Sequence, residues 1–441
     1  MRISPWRLLV AALPLLAACS QTTTQQSSTP AVAASTLLTS GPWRGELAIQ
    51  GQQLPFLFEV KTEANKPVVY LINKGLNGEE RLRCDSISAA GDSVTIRLHV
   101  FDAALVVRAN GRDELKGAWV KYDAKTPYRV PLRAYQAMTT DLFFGQRKEY
   151  ARLPELNQAA AFRTEFKDEA NATYPAVGVF RKDSASSKVY GTFLTTTGDY
   201  RYLSGNVVRN DDKTHHIQVS TFDGNHAFLF DGVIDKDDKP LRIKGDFYSG
   251  KSGHETWTAT LDPRAKLPDA DTLTYLKKGE SRLNFKFPSV VQGTSISPTD
   301  PKYRGKVVVL QILGSWCPNC MDETRFLAPW YQQNKQRGVE IIGLGYERSP
   351  EYAQAAERLR LMKERLNVGY DVAVAGVSNK DSVAKSLPQL AKFLAFPTTI
   401  FLDKKGVVRS IHTGFSGPGT GQYYAEEQAH FNNTVNKLLR E

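Results

Sequence analysis

Two hydrophobic patterns divide the chain. Over residues 41 to about 265, apolar and polar residues alternate in short runs, as in Val94 to Val100. A strand with one buried and one solvent-facing side has this period of two. Pairs such as Asn77-Gly78 and Asp223-Gly224 are typical of the tight turns that join hairpins. Residues 41–265 are therefore predicted to be all-β.

Phe101-Asp102 and an apolar run ending in Leu115-Lys116-Gly117 are echoed by Phe222-Asp223 and a run ending in Ile243-Lys244-Gly245. The echo predicts two related β units within this region.

Beyond residue 300 the pattern changes to continuous apolar runs separated by helical stretches. Residues 306–313 and 339–344 are rich in Val, Ile and Leu, which is typical of strands buried on both faces of a parallel sheet. Ser349-Pro350-Glu351 has the cap, the proline and the acid expected at the start of a helix. The remaining predicted elements are strands at 398–402 and 407–411 and a closing helix at 422–439. The order β-α-β-α-β-β-α predicts an α/β domain with a mixed central sheet flanked by helices.

The boundary between the two parts is marked by Asp262-Pro263 and Leu267-Pro268-Asp269. We therefore expect a linker over residues 266–284 and a C-terminal domain over 285–441. Residues 19–40 are a Gln/Thr/Ser/Ala tract that cannot bury enough apolar surface to fold, so they are predicted to be a flexible tether.

The main candidate chemistry is Trp316-Cys317-Pro318-Asn319-Cys320, which lies between the buried strand 306–313 and a predicted helix. The N-terminus of a helix stabilises a thiolate through unpaired N–H groups and the positive end of its dipole. We expect Cys317 to be the exposed nucleophile and Cys320 the buried resolving thiol. Their redox-active disulfide would need no other cofactor.

The cysteine pair has two other interpretations. A zinc site needs four ligands, and the sequence contains no second Cys-x-x-Cys or Cys/His pair, so no metal is predicted. An inert structural disulfide would seldom follow a tryptophan at a strand-to-helix turn. Redox chemistry is the interpretation that the pattern favours.

The first residues indicate where this chemistry would occur. Positive charges at Arg2 and Arg7 and the apolar run 8–16 predict a secretory signal over residues 1–18. Its Leu-Ala-Ala-Cys ending resembles the lipobox of bacterial lipoproteins, which implies lipidation of Cys19. The alternative is an ordinary cleaved signal. Because Ser20 rather than Asp follows Cys19, the resemblance implies an envelope protein anchored in the outer membrane and facing the periplasm.

The charge composition bears on which kinds of partner the protein could bind. The net charge of +11 would suggest nucleic acid in a cytosolic protein, but basic and acidic residues are interspersed, as in Lys236-Asp237-Asp238-Lys239. A solvated basic surface is the preferred interpretation, with attraction to anionic lipid or polysaccharide as the alternative, and no nucleic-acid partner is predicted. Cys84, the remaining cysteine, is expected at a half-buried strand position.

Residues from about 285 to 441 resemble thioredoxin-like proteins of the TlpA/ResA type, which are membrane-tethered thiol–disulfide oxidoreductases of the bacterial envelope. The resemblance rests on Gly305-Lys306-Val307-Val308, on the Trp-Cys-Pro-Asn-Cys motif, and on Phe396-Pro397-Thr398-Thr399 with Asp403 and Gly406. It implies a cis-proline at Pro397 facing the dithiol. Trp316, Phe396 and Pro397 would then contact substrate, and the Phe396 backbone would pair with an extended substrate strand. The implied partners are protein disulfides and a membrane thiol protein that donates electrons.

Glu323 matches a family glutamate near the active cysteines. One helical turn would bring its carboxylate back towards Cys320, where it could relay a proton. The alternative is a solvated helix glutamate. Gln311 stands where thioredoxin has a buried acid, so a relay must come from elsewhere.

The sequence is compatible with three functions. The first is a protein-disulfide reductase. The second is a thioredoxin-fold peroxidase, although Leu310 and Gly314 stand where a peroxidase loop needs proline and a hydroxyl residue. The third is a binding protein whose β domain recruits a partner.

Overall fold

The protein is described by a computed structural model over residues 37–124, 126–137, 149–150, 153–209, 214–235, 237 and 239–441. The predicted signal and Cys19 lie outside these residues, as does the predicted tether up to residue 36. Within the described residues, the helices are all too short or too polar to cross a membrane.

The first β unit is a nine-stranded antiparallel sheet. Its strands follow the predicted alternation: in the last of them Val130, Leu132 and Ala134 are buried while the residues between them are exposed. The strands are β1 (Gly41–Ile49), β2 (Gln52–Glu63), β3 (Lys66–Gly75), β4 (Gly78–Cys84), β5 (Ile87–Ala90), β6 (Ser93–Arg97), β7 (Ala103–Ala109), β8 (Glu114–Lys121) and β9 (Tyr128–Gln136). Their order is β4-β3-β2-β1-β9-β8-β7-β6-β5. Cys84, expected to be half-buried, is fully buried, because the apolar core covers the end of β4.

The second β unit is a ten-stranded antiparallel sheet that closes on itself. Its strands are β10 (Glu149–Tyr150), β11 (Ala160–Asp168), β12 (Thr173–Lys182), β13 (Lys188–Thr195), β14 (Gly198–Asp199), β15 (Leu203–Arg209), β16 (His215–Phe222), β17 (Ala227–Asp235), β18 (Arg242–Ser249) and β19 (Gly253–Leu261). Closure comes from the pairing of β13 with β15. Packed aromatic rings such as Phe166, Phe193 and Phe230 fill the interior. Sequence alternation alone did not predict closure, because period two is the same in open and closed sheets.

Four short strands form two separate two-stranded sheets: β20 (Tyr275–Leu276), β21 (Phe287–Pro288), β22 (Ser295–Ile296) and β26 (Leu390–Lys392). β20 pairs with β26. The residues predicted as a linker therefore contact the C-terminal unit through backbone hydrogen bonds.

The C-terminal unit has a mixed five-stranded sheet in the order β25-β24-β23-β27-β28. These strands are β23 (Val307–Leu313), β24 (Val339–Glu347), β25 (Asp371–Val377), β27 (Thr398–Leu402) and β28 (Val408–Thr413). The helices are α1 (Pro318–Asn334), α2 (Tyr352–Arg365), α3 (Lys380–Ser386) and α4 (Gln422–Arg440). Short 3-10 turns lie at Pro154–Leu156, Ala270–Thr272, Pro301–Tyr303, Lys335–Arg337 and Pro418–Thr420.

Three elements of the C-terminal unit differ from the prediction. The edge strand β25 and the short helix α3 were missed, because a seven-residue Ala/Gly/Val strand and a two-turn helix carry little periodic pattern. Helix α2 starts at Tyr352, with Glu351 as its N-cap, rather than at Pro350.

The three units are packed together. One contiguous apolar cluster contains residues of the first β unit, of the C-terminal unit, and Phe222, Ala227 and Leu229 of the second β unit. Cys317 and Cys320 belong to the same cluster. The dithiol therefore lies where the β units meet the C-terminal unit.

Candidate functional site

The cysteine pair lies at a tight strand-to-helix turn. Cys317 is the N-cap of α1, and its Sγ accepts a hydrogen bond from the Cys320 N–H at 3.3 Å. The turn requires Gly314, because a Cβ there would lie 2.2 Å from the Trp316 indole nitrogen and 2.8 Å from the Tyr346 carbonyl oxygen. The Cys317 sulfur therefore lies at the N-terminal end of α1, where the unpaired N–H groups of the first turn point towards it.

The expected exposure of Cys317 is wrong. Cys317 is only 6% exposed and Cys320 is fully buried, and both are free thiols in this structure. Burial raises the pKa of Cys320 well above its ordinary value, and the contact with Cys317 raises it further. Cys317 is buried because residues of the second β unit contact its neighbours, Trp316 and Asn319.

The residues predicted to contact substrate lie around Cys317. The Phe396–Pro397 peptide bond is cis, as the resemblance implies. The Phe396 carbonyl oxygen lies 3.8 Å from the Cys317 Sγ. Trp316 meets the Phe396 ring edge to face at 5.6 Å, and its indole N–H donates to the Tyr346 carbonyl. The structure thus brings the Trp316, Phe396 and Pro397 loops together beside the nucleophilic sulfur.

Glu323 is a buried carboxyl rather than a solvated one. Thr399 and Gln311 donate hydrogen bonds to its two oxygens, the latter at 2.8 Å. Burial nevertheless raises the pKa of Glu323 to about 7. Its charge also contributes to raising the pKa of Cys320, which places the two groups within electrostatic reach.

Gln311 has a role that the sequence did not show. Its amide N–H donates to Glu323 and to Thr324 Oγ1, and its amide oxygen accepts from the Tyr370 hydroxyl at 2.9 Å. Gln311 therefore holds the carboxylate of Glu323 instead of replacing an acid. Only the register of β23 against β27 brings Gln311 and Thr399 to the same carboxyl group.

A second buried carboxyl, Glu347, lies on the other side of the dithiol turn. It accepts hydrogen bonds from the Ser315 N–H at 2.7 Å and from the Ser315 hydroxyl at 2.8 Å. Burial raises the pKa of Glu347 to about 7 despite these bonds. The sequence prediction did not include Glu347. The available signal was a single acid at the carboxyl end of a buried parallel strand, which is where functional residues of such sheets often lie.

The linker contributes an acid–histidine group to the C-terminal unit. His412 Nδ1 lies 2.7 Å from Asp271 and its Nε2 lies 2.8 Å from Glu427, while His430 lies 3.4 Å from Asp271. Burial alone would lower the pKa of His412, but the two carboxylates raise it to about 10. Although ligand atoms of Asp271, His412 and His430 lie within 4.8 Å of one another, both His412 nitrogens are engaged by carboxylates. We therefore interpret this group as a charged His412 held between the carboxylates of Asp271 and Glu427, and not as a metal site.

Comparison with known proteins adds a family match. Residues 277–426 match the Redoxin family. The thiol–disulfide oxidoreductase ResA of Geobacillus kaustophilus is 28% identical over 112 residues, which are 25% of this chain and 57% of that protein. The ResA protein of Halalkalibacterium halodurans is 26% identical over 31% of this chain and 69% of its own length. The thiol:disulfide interchange protein DsbE of Pasteurella multocida is 28% identical over 25% of this chain and 52% of its own. The chain thus spans between about half and two thirds of the length of these relatives.

Two solved structures are similar to part of the chain. A thiol–disulfide isomerase from Corynebacterium glutamicum is 18% identical and covers 37% of this chain and 98% of its own, with a TM-score of 0.30. A thiol–disulfide oxidoreductase from Bacteroides fragilis is 19% identical and covers 34% of this chain and 99% of its own, with a TM-score of 0.26. The Redoxin match, together with the mixed sheet and the dithiol turn, defines a thioredoxin-like C-terminal unit.

Proposed function

We propose that the chain is a thiol–disulfide oxidoreductase of the bacterial envelope that reduces disulfides of extracytoplasmic proteins. One observation carries the proposal: Cys317 is the N-cap of α1, its sulfur accepts a hydrogen bond from the Cys320 N–H, and it faces the Phe396 carbonyl. The relatives named as thiol–disulfide oxidoreductases and as a thiol:disulfide interchange protein support it.

The chemistry follows from the two sulfurs. The Cys317 thiolate attacks one sulfur of a substrate disulfide; a new S–S bond forms, the substrate S–S bond breaks, and one substrate thiolate leaves. Cys320, once deprotonated, attacks the Cys317 sulfur and releases the second substrate thiolate. The substrate gains two electrons and the enzyme becomes the Cys317–Cys320 disulfide. A membrane thiol protein would supply the electrons that restore the dithiol.

The direction of electron flow is tested by the reduction potential of the Cys317–Cys320 couple. We expect a value near that of thioredoxin, about −270 mV, and far from the strong oxidant DsbA at about −120 mV. Equilibration with glutathione or thioredoxin of known potential gives the number. Reduction of insulin disulfides without turnover of hydrogen peroxide should accompany it. A potential near the oxidant's value would reverse the proposed direction, and peroxide turnover would favour a peroxidase.

We also propose that lipidation of Cys19 anchors the protein in the outer membrane, facing the periplasm. The support is the Leu-Ala-Ala-Cys sequence and Ser20 after it. Two acyl chains hold a protein on a membrane far more firmly than one. Cys19→Ala should move the protein from the membrane to the soluble fraction, whereas Ser20→Ala should leave it bound. A Cys19→Ala protein that stays in the membrane fraction would remove lipidation as the anchor.

A further inference from the structure

Two loops of the second β unit contact the surface around Cys317. We call residues 198–202 and 223–226 the cap loops. The first lies between β13 and β15 and the second joins β16 to β17. Each contacts the dithiol turn on a different side.

The first cap loop covers the middle of the Cys-x-x-Cys motif. The Asn319 side chain donates to the Asp199 carbonyl at 3.1 Å. The contact is close, because a Cβ on Gly198 would lie 2.3 Å from the Asn319 amide nitrogen. The Asp199 carboxylate also accepts the Gly417 N–H at 2.7 Å, which ties the loop to the segment after β28.

The second cap loop covers the residue before the nucleophile. Asn225 is 3% exposed, and its side-chain amide donates to the Trp316 carbonyl at 2.7 Å. Asp223 shapes this loop by accepting the N–H groups of Asn225 and His226. The Trp316 carbonyl oxygen, next to the nucleophilic cysteine, is thus already paired.

A buried arginine holds the cap loops in place. Arg201 is 4% exposed and forms two hydrogen bonds with Asp322 of α1, at 2.8 and 2.9 Å. It also contacts Asp223 of the second cap loop at 3.3 Å and Glu80 of the first β unit at 2.5 Å. One side chain therefore joins all three units. Because removal of one partner of a buried ion pair is strongly destabilising, loss of the Arg201 side chain should weaken the contact between the cap loops and α1.

A cavity lies beside the dithiol turn on the side of the first β unit, and neither Cys317 nor the cap loops line it. A cavity of about 580 Å3 is lined by Ser315 and Trp316 of the dithiol turn, by Phe101 and Tyr122 of the first β unit, and by Arg348. Pockets of this volume accept small molecules. A folded protein surface does not fit such a cavity.

We propose that the two β units act as an intramolecular cap that makes access to Cys317 depend on size: a small thiol reagent reaches the 6% exposed sulfur with little movement, and a folded protein reaches it only when the cap loops move away. The role of the cap in substrate selection rests on the proposed function. The existence of the cap rests only on the contacts of Asn319, Asn225 and Arg201.

Alkylation of the reduced full chain tests the cap without needing turnover. N-ethylmaleimide and a maleimide carrying a long polyethylene glycol chain share one reactive group and differ only in size. Peptide mass mapping gives the alkylation rate at Cys317. The alkylation rate at the buried Cys84 in the same samples is the internal reference for unfolding of the whole chain. We expect the ratio of the N-ethylmaleimide rate to the polyethylene glycol maleimide rate to be roughly tenfold or more higher in the folded chain than in the urea-unfolded chain. The reason is that the cap loops must open locally before the bulky reagent can react.

Arg201→Asn should lower that ratio towards the unfolded value. Asn suits the positive φ of 57° at this position but cannot bridge to Asp322. Arg163→Asn is the matched control, since it removes an exposed pair with Asp262 within the second β unit. Asn225→Ala is a second opening variant if Arg201→Asn does not fold.

Equal ratios in the folded and unfolded wild-type chain would overturn the cap. So would unchanged ratios in both opening variants when their circular dichroism spectra show a native fold. Alkylation requires only a reactive Cys317 thiolate. A chain that shows size selection while neither the wild type nor Arg201→Asn reduces insulin would therefore retain the cap and lose the proposed function. Insulin reduction by a wild type without size selection would retain the proposed function and overturn the cap.

Discussion

A Cys320→Ser variant is expected to accumulate mixed disulfides through Cys317, whereas Cys317→Ser should form none. Cys317 caps α1 and faces the Phe396 carbonyl, while Cys320 is fully buried behind it with a raised pKa. Only Cys317 is placed to attack first, and without the Cys320 sulfur the adduct cannot be resolved. Turnover of both variants should fall to background.

Non-reducing electrophoresis and mass spectrometry of adducts captured from a disulfide-containing substrate provide the measurement. Cys84→Ser is the control, because Cys84 lies fully buried in the first β unit and should change neither trapping nor turnover. Adducts that form equally well in Cys317→Ser would show that the roles of the two cysteines are assigned wrongly.

Replacing Glu323 with Gln is expected to slow resolution of the mixed disulfide by about ten- to a thousandfold, the usual range for loss of a general base. A buried Cys320 thiol ionises reluctantly, and Glu323 is a buried carboxyl within electrostatic reach of it. The first attack by Cys317 should be unaffected. Stopped-flow measurement of the two steps separates them, and the titration of Cys320 should change as well.

The pH dependence supplies an independent readout. Because the pKa of Glu323 is about 7, the carboxylate fraction, and with it the wild-type resolution rate, should rise as pH increases through about 7. The Gln variant should lack this step. Glu357→Gln is the matched control, because Glu357 is an exposed glutamate on α2. Equal resolution rates and unchanged Cys320 titration in Glu323→Gln would leave Glu323 with a structural role.

Glu323 should also affect stability. Its pKa is raised from 4.5 to about 7 in the folded protein, so its favourable contribution is complete below about 4.5 and is lost as pH rises through about 7. A shift of this size corresponds to about 3 kcal/mol. The free energy of unfolding of the wild type should therefore fall relative to Glu323→Gln over this pH interval, as urea titrations would show.

Much of the C-terminal unit was predictable because its signals are local. The run of Val, Ile and Leu at 307–313, the glycine that the turn demands and the cysteine at a helix start each act over a few residues. The edge strand Asp371–Val377 has no such pattern and is defined by its pairing with β24.

The site was only partly predictable, because several of its contacts join residues that are far apart in sequence. Spacing placed Glu323 near Cys320, but the partners that hold it, Gln311 and Thr399, come from two strands whose register is set by the sheet. The burial of Cys317 could not be read from its neighbours in sequence, because Asn225 and Asp199 approach from a different unit.

The sequence by itself determined the dithiol, the strand and helix that present it, and the alternating strands of the β region. These features depend on short-range sterics, on hydrophobic periodicity and on unpaired N–H groups at a helix start. Only the tertiary structure decided that Glu323 and Glu347 are buried, that the second β sheet closes, and that Arg201 joins three units beside Cys317. Those features arise where residues far apart in sequence exclude water together, and a buried charge then depends on which partners the fold supplies.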